Sequence, residues 1–182
     1  MLIYRQRYGT NDTGGLRAFP PGFNMVAGYP LFRSYTDTPR QQAITYACLQ
    51  GEGAPAVPQT NGFPTRNCPA GLRTQVYFPS CWNGTLASPD QTHVAYPDGV
   101  DHGNCPESHP IRLISIFFEA IWNTPDFADM WYGDEQPFVW SYGDPTGYGY
   151  HGGFFSGWDV NILQPAIDRK CRSSLQHPHG SF

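Results

Sequence analysis

Charge is scarce in this sequence. Lys, Arg, Asp and Glu make up 14% of the 182 residues, against roughly 25% in an average soluble protein. The net charge is -4 and no Lys/Arg cluster occurs, which argues against nucleic acid as a partner, because phosphate binding needs a basic stripe. No apolar run reaches the roughly 18 residues of a membrane-spanning helix, so no membrane partner is expected. Cys-x-x-Cys is absent, which disfavours a zinc ribbon or a thioredoxin-type motif. The lack of GxSxG, a P-loop and HExxH removes serine hydrolase, nucleotide triphosphatase and zincin readings. The opening MLIYRQRYGTND has no apolar segment and no small-residue cleavage site, so no signal peptide is visible.

What is present points to a turn-rich β protein. Hydrophobic residues are 40% and aromatics 15%, enough for a core in a chain of one-domain length. Gly 20 and Pro 18 exceed ordinary usage, which implies many turns and little helix. The expected architecture over 1–182 is a single mainly β domain, two packed antiparallel sheets of the sandwich or jelly-roll kind, with long loops and one short C-terminal helix. Strands are expected at 2–8, 23–27, 43–49, 74–78 and 138–141, with a long central strand over the Ile- and Phe-rich run 111–122. Residues 51–69, rich in Gly, Pro and Asn, read as a loop. Asp159 is a plausible N-cap for a helix from 160 to about 170, in which Pro165 is tolerable only if the helix starts late.

Five cysteines stand at 48, 68, 81, 105 and 171. A Cys81–Cys105 bridge would close the loop carrying His93. A Cys48–Cys68 bridge would pin the 51–69 loop. Two N-glycosylation sequons start at Asn11 and Asn83. Spaced cysteines, sequons and low charge together favour a secreted, extracellular or cell-wall location. The odd cysteine count, beside the missing signal peptide, leads to the expectation that the chain is the larger C-terminal part of a longer secreted domain, with Cys171 either paired outside it or free.

Five motifs occur in order: AFPPGFNMVAG (18–28), FPSCWNG (78–84), THVAYP (92–97), CPESHPIRL (105–113) and GDPTGYGYHGGFFSGWD (143–159). This series resembles a secreted, mainly fungal family known only as domain of unknown function 1996 (DUF1996), over nearly the whole chain. The resemblance implies a further N-terminal part, carrying a His-x-His segment, before the region seen here. It also implies Asp where this chain has Asn83 and Gly153. Those two departures weigh against acid–base chemistry shared at those places, and the family label carries no activity.

His93, His109 and His151 lie inside the motifs; His102, His177 and His179 do not. Three imidazoles from separate turns could converge on a sugar hydroxyl or serve as catalytic groups. They could instead hold a metal ion, the one cofactor the sequence leaves open, or fasten loops by hydrogen bonds to carbonyls. Apart from His177-Pro178-His179 in the tail, no His-x-His or His-x-x-x-His pair supports the metal reading. Each histidine sits beside Gly, Pro or a turn, which predicts a single cleft holding His93, His109 and His151 with Arg112 beside them. Trp82 and Tyr96 are the nearest aromatics for stacking on a sugar. Glu119, in the apolar run 111–122, is either a general acid or a buried, hydrogen-bonded residue that sets strand register. The aromatic surplus also includes Trp131, Tyr132, Trp140, Tyr148, Tyr150 and Trp158, and suits a neutral glycan. Glycines 143, 147, 149, 152 and 153 around His151 suggest a tight loop where backbone approaches a ligand. The expectation is a secreted protein that interacts with cell-wall or environmental polysaccharide through this His/Arg cleft. The alternatives are a glycan lyase or hydrolase, and a structural wall protein with no small-ligand site. Assembly state is not set by the sequence.

Overall fold

The computed structural model describes residues 1–10, 14–131 and 136–169. Asn11, Tyr132, Cys171, His177 and His179 lie outside these residues. The chain is mainly β, with nine short strands among the described residues. They are Leu2–Arg5 (β1), Asn24–Gly28 (β2), Ile44–Cys48 (β3), Leu72–Tyr77 (β4), Cys81–Trp82 (β5), Val94–Ala95 (β6), Ile111–Arg112 (β7), Ser115–Trp122 (β8) and His151–Phe155 (β9). Two helices, Pro39–Gln42 (α1) and Val160–Asp168 (α2), and a 3-10 helix, Thr124–Met130, complete the described elements.

The strands form three antiparallel sheets where two were expected, in the orders β1-β8-β4-β3, β2-β9 and β6-β5-β7. The third sheet exists because the apolar run 111–122 is two strands. Ile111 and Arg112 pair with β5, and the chain then crosses to β4 and β1 as β8. The crossing is held by backbone: the Leu113 N–H donates to Ser80 O at 2.9 Å, and Ile114 N–H to Arg17 O at 3.1 Å. Alternation along a strand reports burial on one face, not which partner supplies the ladder, so the break left no mark in the hydrophobic pattern.

The β2-β9 pair lies over the four-stranded sheet, and the core fills the space between them. Phe19, Phe23, Met25, Ile44, Tyr46, Val76, Leu113 and Ile116 are all essentially inaccessible. Phe154 of β9 meets Phe19 at a ring separation of 4.7 Å. The close approach requires glycine at 152, where a Cβ would stand 2.9 Å from the Phe78 ring. Cys48–Cys68 and Cys81–Cys105 are disulfide-bonded. Among the described residues no helix is long and apolar enough to cross a membrane.

Helix α2 begins where its cap dictates. The Asp159 side chain accepts from Asn161 N–H, and Leu163 and Ile167 are buried. The helix runs through Pro165 rather than starting after it. Asn161 and Pro165 are both exposed, so the carbonyl that loses its helical donor turns to water. Residues 138–141 form no strand. Trp140 N–H donates to Asp144 O and Gly143 N–H to Trp140 O, so this backbone closes on itself as a turn.

Candidate functional site

The structure divides the expected histidine cluster. His93 sits just before β6 with 1% of its surface exposed. Its Nε2 lies 2.8 Å from Asn24 O and its Nδ1 2.9 Å from Ser88 Oγ. A carbonyl only accepts, so Nε2–H donates, and in the neutral ring Nδ1 accepts the Ser88 hydroxyl proton. His109 is its neighbour: its Nε2 donates to Thr92 O at 2.9 Å and its Nδ1 meets Ser108 Oγ at 2.9 Å. His151 stands elsewhere. It pairs with Gly28 at one end of β2, whereas His93 grips Asn24 at the other. The four intervening steps of strand span roughly 13 Å. His151 Nδ1 donates to Gly149 O at 2.9 Å. All three imidazoles therefore fasten backbone, and among the described residues no group of three His, Cys, Asp or Glu could hold a metal ion.

Arg112 and the two proposed stacking aromatics also face inward. Arg112 is 2% exposed and donates to Gly103 O at 3.1 Å, with the sulfurs of Cys105 and Cys81 at 3.5 and 3.7 Å. Trp82 donates to Thr85 O and packs edge-on to Phe23. The Tyr96 hydroxyl donates to Tyr77 O at 3.1 Å. Glu119 forms an ion pair with Arg73 at 3.6 Å; it points away from the core that Ile116 occupies, across from Gln75 in the ladder. The glycine-rich loop holds protein rather than a vacant approach. Gly147 has φ +83 and a Cβ there would stand 2.6 Å from Phe63 N.

An open cleft lies at the other end of the large sheet. It has a volume of about 740 Å³ and is bounded by the start of β4, the end of β8, the 3-10 helix and residues 137–141. Its walls are aromatic: Phe63, Trp122, Phe127, Phe138 and Trp140. Each indole is held by its N–H. Trp122 Nε1 donates to Thr74 Oγ1 at 3.1 Å and Trp140 Nε1 to Tyr46 Oη at 3.1 Å. Trp140 also stacks on Tyr150 at 4.8 Å and 13°, and meets Trp122 edge-on at 5.6 Å. Trp122 remains 47% and Phe127 51% exposed, so rigid apolar faces are open to solvent. On the rim, Asn123 Nδ2 donates to Asp126 Oδ2 at 2.6 Å. Thr124 lines the cleft, is 4% exposed, and its buried hydroxyl has no hydrogen-bond partner among the described residues.

Sequence reasoning missed this site because its walls come from separate parts of the chain. Trp122 reads as the last residue of a strand and Trp140 as part of another. One local signal was available: Asn-Thr-Pro at 123–125 can start a helix after a strand, and Phe127 and Met130 follow with three-residue spacing.

Behind the cleft, burial pushes the Tyr46 phenol well above its ordinary value near 10, although the hydrogen bond from Trp140 opposes the shift. Burial raises Tyr96 in the same direction. A folded value above the unfolded one means that stability is fully present below about pH 10 and is lost as pH rises beyond it. The unfolding free energy from urea titrations should therefore fall steadily above about pH 10. If phenolate absorbance shows all eleven tyrosines ionising near pH 10 in the native protein, this expectation fails.

The family model described as Domain of unknown function (DUF1996) matches residues 1–158. No curated protein and no solved structure matches the chain.

Proposed function

The chain belongs to the DUF1996 family, and we propose that it is a secreted protein that binds extracellular or cell-wall polysaccharide in the aromatic cleft, not through a His/Arg cluster. The observation that carries this reading is the pair of tethered tryptophans, Trp122 and Trp140, whose rings bound an open cleft with Phe127. Flat, rigid rings bury the C–H face of a pyranose at little entropic cost, and Asn123 and Ser141 supply hydrogen-bonding groups beside them. Binding is favoured over hydrolysis because the described lining includes one carboxylate, Asp126, whereas glycoside hydrolysis ordinarily uses two. Two disulfides support an oxidising location.

Calorimetric titration with a panel of oligosaccharides tests the assignment. Trp122→Ala should weaken the bound oligosaccharide about ten-fold, the equivalent of about 1.4 kcal/mol, without altering the circular dichroism spectrum. Unchanged affinity in that variant would remove the cleft from consideration.

Asn83 fits the same secreted reading. It is exposed, and its Oδ1 accepts from the Thr85 N–H at 2.9 Å, an Asx turn that presents the sequon at the surface. Protein from a eukaryotic secretion host should lose mass at the Asn83 peptide on glycosidase treatment. An unshifted peptide would mean that Asn83 is only a turn former.

A further inference from the structure

We infer that the glycan taken by this cleft carries free amino groups, as a polymer or oligomer of 2-amino sugars bearing ammonium charges. The inference rests on the carbohydrate reading of the cleft and adds the charge of the ligand. Three features point to a cation. The described lining contains no Lys, Arg or His, and includes Asp126. Asp126 and Asp129 are both exposed on the 3-10 helix, and among the described residues neither is in a salt bridge. Asn123 holds Asp126 by Oδ2, so among the described residues Oδ1 is left to accept from a ligand. The exposed faces of Trp122 and Phe127 add the negative face of an aromatic quadrupole, which attracts an ammonium group. An anionic glycan would meet Asp126 with no cation to answer it, and the chain as a whole is negative at -4.

The arrangement gives a charge-dependent preference. An exposed ion pair and an exposed cation–π contact together favour the amino sugar by about ten-fold at low salt. Salt screens the first of these, so the preference contracts as ionic strength rises.

The test compares oligomers of equal length and linkage built from glucosamine, N-acetylglucosamine and glucose, titrated calorimetrically against the full chain at low and physiological salt. The glucosamine oligomer should bind about ten-fold more tightly than the glucose oligomer at low salt, and less so at physiological salt. Asp126→Asn should bring the ratio of these two affinities toward one. Trp122→Ala should weaken the glucosamine oligomer as well. If glucose and glucosamine oligomers bind equally, the inference falls while the carbohydrate reading stands. If glucosamine binding survives Trp122→Ala intact, the charge acts elsewhere on the surface and the inference again falls. If no oligomer binds, both fall.

Discussion

Replacing Cys81 and Cys105 together by alanine should lower the unfolding free energy by more than the loop entropy alone accounts for. The two residues are 24 apart in sequence, and those of the Cys48–Cys68 bridge are 20 apart. Restricting the unfolded chain is worth about 3 kcal/mol for either loop, and the two differ by only about 0.2 kcal/mol on that count. Their surroundings are not alike. Cys81 is fully buried in β5, between β6 and β7, and the Arg112 guanidinium packs on both sulfurs of its bridge while donating to Gly103 O. Loss of this bridge therefore leaves a buried cation whose seat has been disturbed, which adds roughly 1–3 kcal/mol. Urea unfolding of the two double-alanine variants measures the difference directly. Equal losses within error would mean that Arg112 draws no stability from its place against the sulfurs.

His93→Ala should destabilise the fold by about 2–4 kcal/mol, yet leave the glycan affinity of the folded fraction unchanged. The ring is almost wholly enclosed, meets Phe23 edge-on at 5.7 Å, and ties Asn24 O to Ser88 Oγ. Its removal opens a cavity, at about 1–3 kcal/mol, and takes the hydrogen-bond donor from the carbonyl of half-buried Asn24, at about 1 kcal/mol. The aromatic cleft lies near Leu72 at one end of β4, while the segment leading to the His93 sheet leaves from Tyr77 at the other. That separation is roughly 17 Å of strand, so the truncation has no short route to the cleft. His93→Gln, which keeps a donor and an acceptor on a similar length of side chain, should recover part of the loss. A His93→Ala protein that folds with wild-type stability but no longer binds sugar would reverse both the structural role given to His93 and the placement of the site.

The sequence alone determined those features whose causes are local. Gly and Pro punctuation and short β-branched or aromatic runs marked a mainly β chain. Asp159 marked the start of the C-terminal helix, because a cap acts within two or three residues of itself. Cysteine spacing around two loops indicated both bridges. The motif series indicated the family. Tertiary structure decided everything that depends on convergence. It broke the run 111–122 at Leu113 and Ile114 to serve two sheets, and it sent His151 to the far end of β2 from His93. It also brought Phe63, Trp122 and Trp140 together around one opening. A periodic pattern tells a side chain which face is dry. Which distant strand covers that face, and which side chains then meet, is set by long-range register, and that information is spread over contacts no local window contains.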